Sequence, residues 1–238
     1  MKNLTKSLIF IGLLFALGSC KSTDVARVLD ALNQQQGLSQ QTVAAGLKQA
    51  LQVGTEKTVF NTNRDGGFSN NPLIKILVPE KLDKVASTVR KIGLGSYVDQ
   101  FELQMNRAAE SAAGEAKAVF FDAISGMSWQ DAWGILKGGD NAATDYFKQH
   151  TTAALTSRFK PIIQTNMQKV GFYNDYNKLI DTYNAIPFTQ KQDLSIETYV
   201  TDKALDGLFT LVAEEEAKIR QDPLARTTEL LRKVFAAQ

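Results

Sequence analysis

The sequence predicts an all-α protein: a single multi-helix, bundle-like domain of about eight to ten helices with no substantial β-sheet. Three observations carry this. Apolar residues recur at spacings of three, four and seven along most of the chain. The breaks between such runs fall at clusters of Gly, Pro and Asn. Only one short segment has strand character, and it has no neighbour in sequence to pair with. With 238 residues, 44% hydrophobic and 22% charged, the chain can bury a core without disulfide or metal staples.

The first residues stand apart. Lys2 and Lys6 form a basic start, the apolar run from Leu8 to Leu17 follows, and Gly18 and Ser19 are small. That run is too short for a bilayer, which needs about 20 apolar residues, so it reads as an export signal. The site Leu17-Gly18-Ser19-Cys20 resembles the bacterial lipobox, in which the cysteine thiol receives a diacylglycerol, with palmitate among its acyl chains, and becomes the first mature residue. The expected organisation is a lipoprotein signal peptide over 1–19, a lipidated N-terminus and short tether over 20–24, and one helical domain over 25–238. Lys21 is not the aspartate that retains such proteins at an inner membrane, which favours the outer membrane, on its periplasmic or its surface side.

Cutting before Cys20 removes Lys2 and Lys6 and no acid, so 27 basic against 25 acidic residues becomes a balance of 25 against 25. A neutral chain has no electrostatic footprint for nucleic acid. Cys20 is the only cysteine, and acylation uses it, which leaves no disulfide, thiolate nucleophile or thiolate ligand.

A first helix carries Val25, Val28, Leu29 and Leu32, and ends at Gln34 to Gly37. Ser39 caps a second, with Val43, Leu47, Ala50, Leu51, Val53, Val59 and Phe60 on one side and Gly46 and Gly54 weakening it. Residues 61–71 (NTNRDGGFSNN) form a loop. Residues 72–79, strand-like but bounded by Pro72 and Pro79, form an extended connector. Past Pro79 a helix with Leu82, Val85, Val89 and Ile92 stops at Gly93 and Gly95. One long helix then keeps a seam of Val98, Phe101, Met105, Ala108, Ala112, Ala116, Val119 and Ile124 as far as Met127. Ser128 and Asp131 start a short helix containing Trp129, Trp133, Ile135 and Leu136. Asp140 caps a helix over 141–170, which Pro161 should kink or divide near Phe159. Three more follow, over 172–186, over 195–222, and from Pro223 with Asp222 as its cap.

Several stretches resemble one bacterial family. They are Gly93-Leu-Gly-Ser-Tyr-Val-Asp-Gln-Phe-Glu102, Met105-Asn-Arg-Ala-Ala-Glu110, Gly138-Gly-Asp-Asn-Ala-Ala-Thr144 with Tyr146-Phe147, and Tyr199-Val-Thr-Asp-Lys-Ala-Leu-Asp-Gly-Leu-Phe209 followed by Ile219-Arg220, Pro223 and Ala225-Arg226. Together they resemble domain-of-unknown-function family 4197, of secreted and often lipidated helical proteins, from about Gly46 to Phe235. The resemblance implies a compartment and an all-α fold. It implies no activity.

Candidate chemistry is sparse. Glu102, Asn106 and Glu110 lie at i, i+4 and i+8 with Arg107 beside them, a polar ridge along the apolar seam. Such carboxylates suit a hard cation or an acid/base pair, but charges bordering a seam more often bond to neighbouring helices. His150 is the only histidine and falls on or near an apolar face, a packing position unless the fold brings Asp, Glu or Ser to it. Gly138, Gly139 and Asp140, with Thr144 in the first turn beyond, resemble a phosphate loop only superficially. Asp140 would fill the free N–H groups, and no Gly-Lys-Ser/Thr ending follows. Tyr173, Tyr176 and Tyr183, interleaved with Asn, form a candidate recognition surface or a core edge. Glu214 to Glu216 reads as a solvated acidic face. No metal site and no cofactor are expected. The functional expectation is a membrane-anchored binding or scaffolding domain for an envelope protein or a small apolar ligand; the alternative is an envelope hydrolase using His150 or Glu102 and Glu110.

Overall fold

The described residues of the computed structural model, 39–184 and 195–222, contain eight α-helices and one 3-10 turn and no strand. The helices are α1 (Gln40–Thr62), α2 (Asp83–Lys91), α3 (Gly95–Ala113), α4 (Ala116–Gly126), α5 (Trp129–Lys137), α6 (Ala142–Lys169), α7 (Phe172–Asn184) and α8 (Ile196–Gln221), with the 3-10 turn at Glu80–Leu82. Cys20 and the helices expected over 25–34 and beyond Pro223 lie outside the described residues. Among the described residues no helix is long and apolar enough to cross a membrane.

The frame is built on α6. Its buried residues Phe147, Thr151, Leu155, Phe159, Ile163 and Met167 repeat every four positions. A stripe of that period drifts slowly around a helix of 3.6 residues per turn. α6 therefore meets α4 and α5 near its start and α3 and α7 near its end. α8 lies antiparallel to it, with Thr144 against Glu216 at one end and Lys160 reaching Thr198 at the other. α3 and α4 run antiparallel to α6 as well. Tyr146 donates to the Ala123 carbonyl, Arg158 pairs with Glu115, and Phe101 stacks at 4.6 Å on Phe172 just past the end of α6. Phe120, Phe147 and Phe209 meet edge-to-face in the middle.

Pro161 lies inside α6 without dividing it. The carbonyl left without its usual partner belongs to Ser157, and both residues are exposed, so water can satisfy it. The seam expected to be one helix from Val98 to Met127 is broken at Gly114 and Glu115. There the Glu115 and Lys117 amides bond three residues back, tightening the turn between α3 and α4.

Along one half of the frame, α1 fills the space beside α4 and α8. It is antiparallel to α4, with Lys48 donating to the Ser125 carbonyl and Glu56 pairing with Lys117. Val43, Leu47, Ala50, Leu51 and Val59 are buried as expected, whereas Phe60 is 71% exposed and sits under Arg64. Its place on the inner face is taken by Thr55, Thr58 and Thr62, of which Thr55 and Thr62 bond back to carbonyls of their own helix. At Thr62 the helix stops, and the other half of the frame is filled by chain with no regular structure.

Candidate functional site

From Asn63 to Pro79 the chain forms a strap along the trough between α3 and α8. Residues 72–74 turn and 75–79 are extended, and side chains alternate along them: Ile74 and Ile76 are buried, while Leu73, Lys75 and Leu77 face out. Phe68 is fully buried at its base. Burying a side chain of this size contributes about 1.5–3 kcal/mol. The extended backbone itself brings buried N–H and C=O groups with no strand to receive them.

The polar ridge of α3 receives them. Glu110 Oε1 accepts from the Phe68 amide at 3.0 Å and from the Ser69 amide and hydroxyl at 3.1 Å each. One turn along, Asn106 accepts from the Ile76 amide at 2.9 Å and donates to the Ile76 carbonyl at 2.7 Å, the two-bond pattern of a paired strand residue. A turn further, Glu102 Oε1 accepts from the Val78 amide at 3.3 Å, with Lys75 3.7 Å from its other oxygen. Arg107 bridges Glu110 Oε2 at 2.9 Å and Asp65 at 2.7 Å. The opposite wall is α8, where Tyr199 donates to the Leu77 carbonyl at 3.0 Å. A Cβ on Gly207 of α8 would lie 2.9 Å from Phe68 Cε1 and 3.0 Å from Ile74 Cβ. The strap lies where it does because that residue has no side chain.

A groove of about 830 Å³ follows the strap, walled by α2, α3 and α8. Leu77, Val98 and Tyr199 give it apolar surface; Asp83, Arg90 and Lys203 give it charge. Burial, then the charges of Asp83 and Glu102, push the Tyr199 phenol above its ordinary value, so it remains a donor at neutral pH.

The Gly138-Gly139-Asp140 turn is exposed, and Asp140 does not cap α6. Glu216 of α8 does. Its two oxygens accept from the Ala143 and Thr144 amides at 2.9 Å each, and from the Thr144 hydroxyl at 2.8 Å. These are the orphan donors that an N-cap side chain would take. Arg220 backs the carboxylate at 2.8 Å and donates to the Ile135 carbonyl. An anion at this helix start is already supplied by the protein. The solvated acidic face is thus reduced to Glu214. Glu215 is also buried, between Lys57 at 2.9 Å and Lys218 at 2.8 Å. Burial alone would raise its carboxyl, but hydrogen bonds and charge from Lys218 and Lys57 hold it below its ordinary value.

His150 is exposed, not set on an apolar face. Its ring stacks on Tyr146 at 4.1 Å, and its Nδ1 lies 2.8 Å from the Tyr146 carbonyl oxygen. A carbonyl only accepts, which fixes the proton on Nδ1. Tyr176 is buried in a stack with Phe101 and Phe172, at the core edge rather than on a surface. Tyr173 meets Phe172 edge-on, and burial and the nearby Glu197 carboxylate push its phenol up. The side chain of Tyr183 lies outside what the structure describes. Among the described residues no group of three or more His, Cys, Asp or Glu side chains is placed to hold a metal ion. The fold therefore gathers Glu102, Asn106, Arg107 and Glu110 around the strap; elsewhere Thr144 meets Glu216, and His150 has Asp131 as an electrostatic neighbour. Sequence reading missed Glu216, Arg220 and Gly207. Each acts across long sequence separations, although all three fall within the family-like stretches or beside them.

No curated protein and no solved structure matches the chain. A family model described as a protein of unknown function, DUF4197, matches residues 37–236, and the chain belongs to that family.

Proposed function

We propose that this protein is a lipid-anchored module of the bacterial cell envelope, held at the outer membrane through Cys20, whose helical domain binds an envelope protein or a small apolar ligand. The observation that carries the reading is the coincidence of a basic start, a short apolar run, Gly18-Ser19 and a lone cysteine at the boundary. Support for binding over turnover comes from how the polar residues are used. Glu110 and Asn106 are committed to the strap backbone, and Glu216 to a helix start. The groove beside the strap, with Leu73 and Leu77 exposed on its rim, offers apolar surface to a ligand or a partner side chain.

Mass spectrometry of the protein taken from the membrane fraction of its expressing bacterium tests the anchor. The reading expects a chain beginning at Cys20 and carrying acyl mass; a chain retaining Met1 or cut elsewhere contradicts it. Native mass spectrometry of the same domain, released without detergent, then reports a retained ligand as excess mass. A hydrolase built on His150 would instead lose turnover on His150→Ala.

A further inference from the structure

Both tryptophans of the chain lie on α5. Trp129 and Trp133 stack at 5.0 Å, Lys137 sits 5.4 Å over the Trp133 ring, and Trp133 is 42% exposed. The three residues follow one another at four-residue spacing along one side of the helix, while Ala132, Ile135 and Leu136 pack inward. Indole has a large apolar body with a polar N–H, and a lysine stem is apolar with a charged tip. Both groups favour the boundary between acyl chains and headgroups.

The position of this face matters as much as its chemistry. α1 packs on α5, and Lys48 of α1 bonds to the Ser125 carbonyl just before α5 begins. Because α1 runs antiparallel to α4, its first residue, Gln40, points toward the end of the frame where α5 lies. Only 19 residues, 21–39, lie between Cys20 and Gln40. Their full extension is about 70 Å at the usual rise per residue. An acylated Cys20 would hold the bilayer within that reach of Gln40, the start of the helix that packs on α5. Asp131, the one acid of α5, lies on the other side of the helix from the tryptophans and is turned to Ser128, from whose amide and hydroxyl it accepts. Hydrogen bonds from Ser128 hold its carboxyl low, and it remains charged there.

We infer that α5 is a membrane-docking face, with Trp129, Trp133 and Lys137 seated in the headgroup layer of the bilayer that anchors the chain. The inference rests on the lipid-anchor reading above and adds an orientation to it. With the mature chain neutral, docking is driven by the indoles rather than by net charge, and so it does not need anionic lipid.

Because the chain has no other tryptophan, its indole emission reports this face alone. The acylated protein is reconstituted into vesicles of phosphatidylethanolamine and phosphatidylglycerol doped with phosphatidylcholine brominated on its acyl chains. Docking predicts blue-shifted emission, loss of most of it to the bromolipid, and protection from acrylamide in the water. Emission untouched by bromolipid and fully open to acrylamide overturns it. A second chain, Trp129→Phe, Trp133→Phe and Tyr97→Trp, moves the reporter to the exposed α2–α3 turn, where Tyr97 is 66% exposed. Quenching of the relocated indole would place the opposite end on the bilayer and also overturn the inference. An intact mass measured beforehand separates the failures. Missing acyl mass sinks the anchor reading, whereas full acylation with unquenched indoles sinks the docking alone.

Discussion

The trough beside α8 is filled in two ways. In the half that holds α1 it is filled by a helix; in the half that holds residues 63–79 it is filled by extended chain. A helix satisfies its own backbone, so α1 needs only shape and a few charges: Gly54 opposite Ile219, and Lys57 on Glu215. The strap cannot satisfy its own backbone, and α3 must supply acceptors and a donor at the right height. Glu110, Asn106 and Glu102 do this at one-turn intervals, in the manner of a neighbouring strand. Polar residues that look like a catalytic or cation-binding ridge are, in this position, the means by which a helix holds an extended segment.

The largest expected effect lies at the α6–α8 lock, outside the strap. Glu216→Ala takes the carboxylate away from Arg220 and from the Ala143 and Thr144 amides; breaking such a buried charged pair costs about 3–5 kcal/mol. Urea unfolding should show it across the whole domain. Asn106→Leu strands the Ile76 amide and carbonyl, at about 1–3 kcal/mol for each unsatisfied group. Its loss of hydrogen-exchange protection should centre on the strap, with α1 spared.

The two glycines facing the filled trough sharpen the contrast. Gly207→Ala places a Cβ within 3.0 Å of Phe68 and Ile74. Such overpacking costs about 1–3 kcal/mol, more than the helix propensity gained. Gly54→Ala meets Glu215 and Ile219 at 3.7 Å, an ordinary contact. It should therefore raise stability by about 0.5–1 kcal/mol. Opposite signs in thermal melts are the expected outcome, and equal signs would deny that the two halves are packed differently.

A smaller effect follows from Glu215, whose carboxyl sits below its ordinary 4.5 in the folded state. A depressed carboxylate adds stability above its unfolded value and loses it as the pH falls through the folded one. Glu215→Gln should therefore flatten the acid side of the stability profile below that pH and weaken the protein at neutrality. His150→Ala, at an exposed site, should change stability by no more than about 0.5 kcal/mol.

Much of the fold is readable from spacing. The seam of α3, the box of Ser128 and Asp131, and the stop at Gly93 all follow from local rules, and the capping box is present in full. Of the connector expected to be extended over 72–79, residues 75–79 are so, whereas 72–74 turn, with the Ile74 and Lys75 amides on the Asn71 carbonyl. The errors share a cause. Asp140 stands beside α6 in the place of a cap, but the cap comes from Glu216, more than seventy residues away. The run Glu214-Glu215-Glu216 looks like surface, yet two of its members are buried by partners on other helices. Spacing puts Glu102, Asn106 and Glu110 on one ridge, but only the fold sets a backbone opposite it. Local pattern reports which face a residue occupies; what stands across from that face is tertiary.

The Ile76 amide tests the hold of α3 on the strap most directly. Amide hydrogen exchange of the wild-type domain should show Ile76 as slow as the buried core of α3, and Asn106→Leu should release it while the amides of α1 stay protected. An Ile76 amide that exchanges at the rate of an open chain in the wild type would contradict the strap and the role given to the ridge.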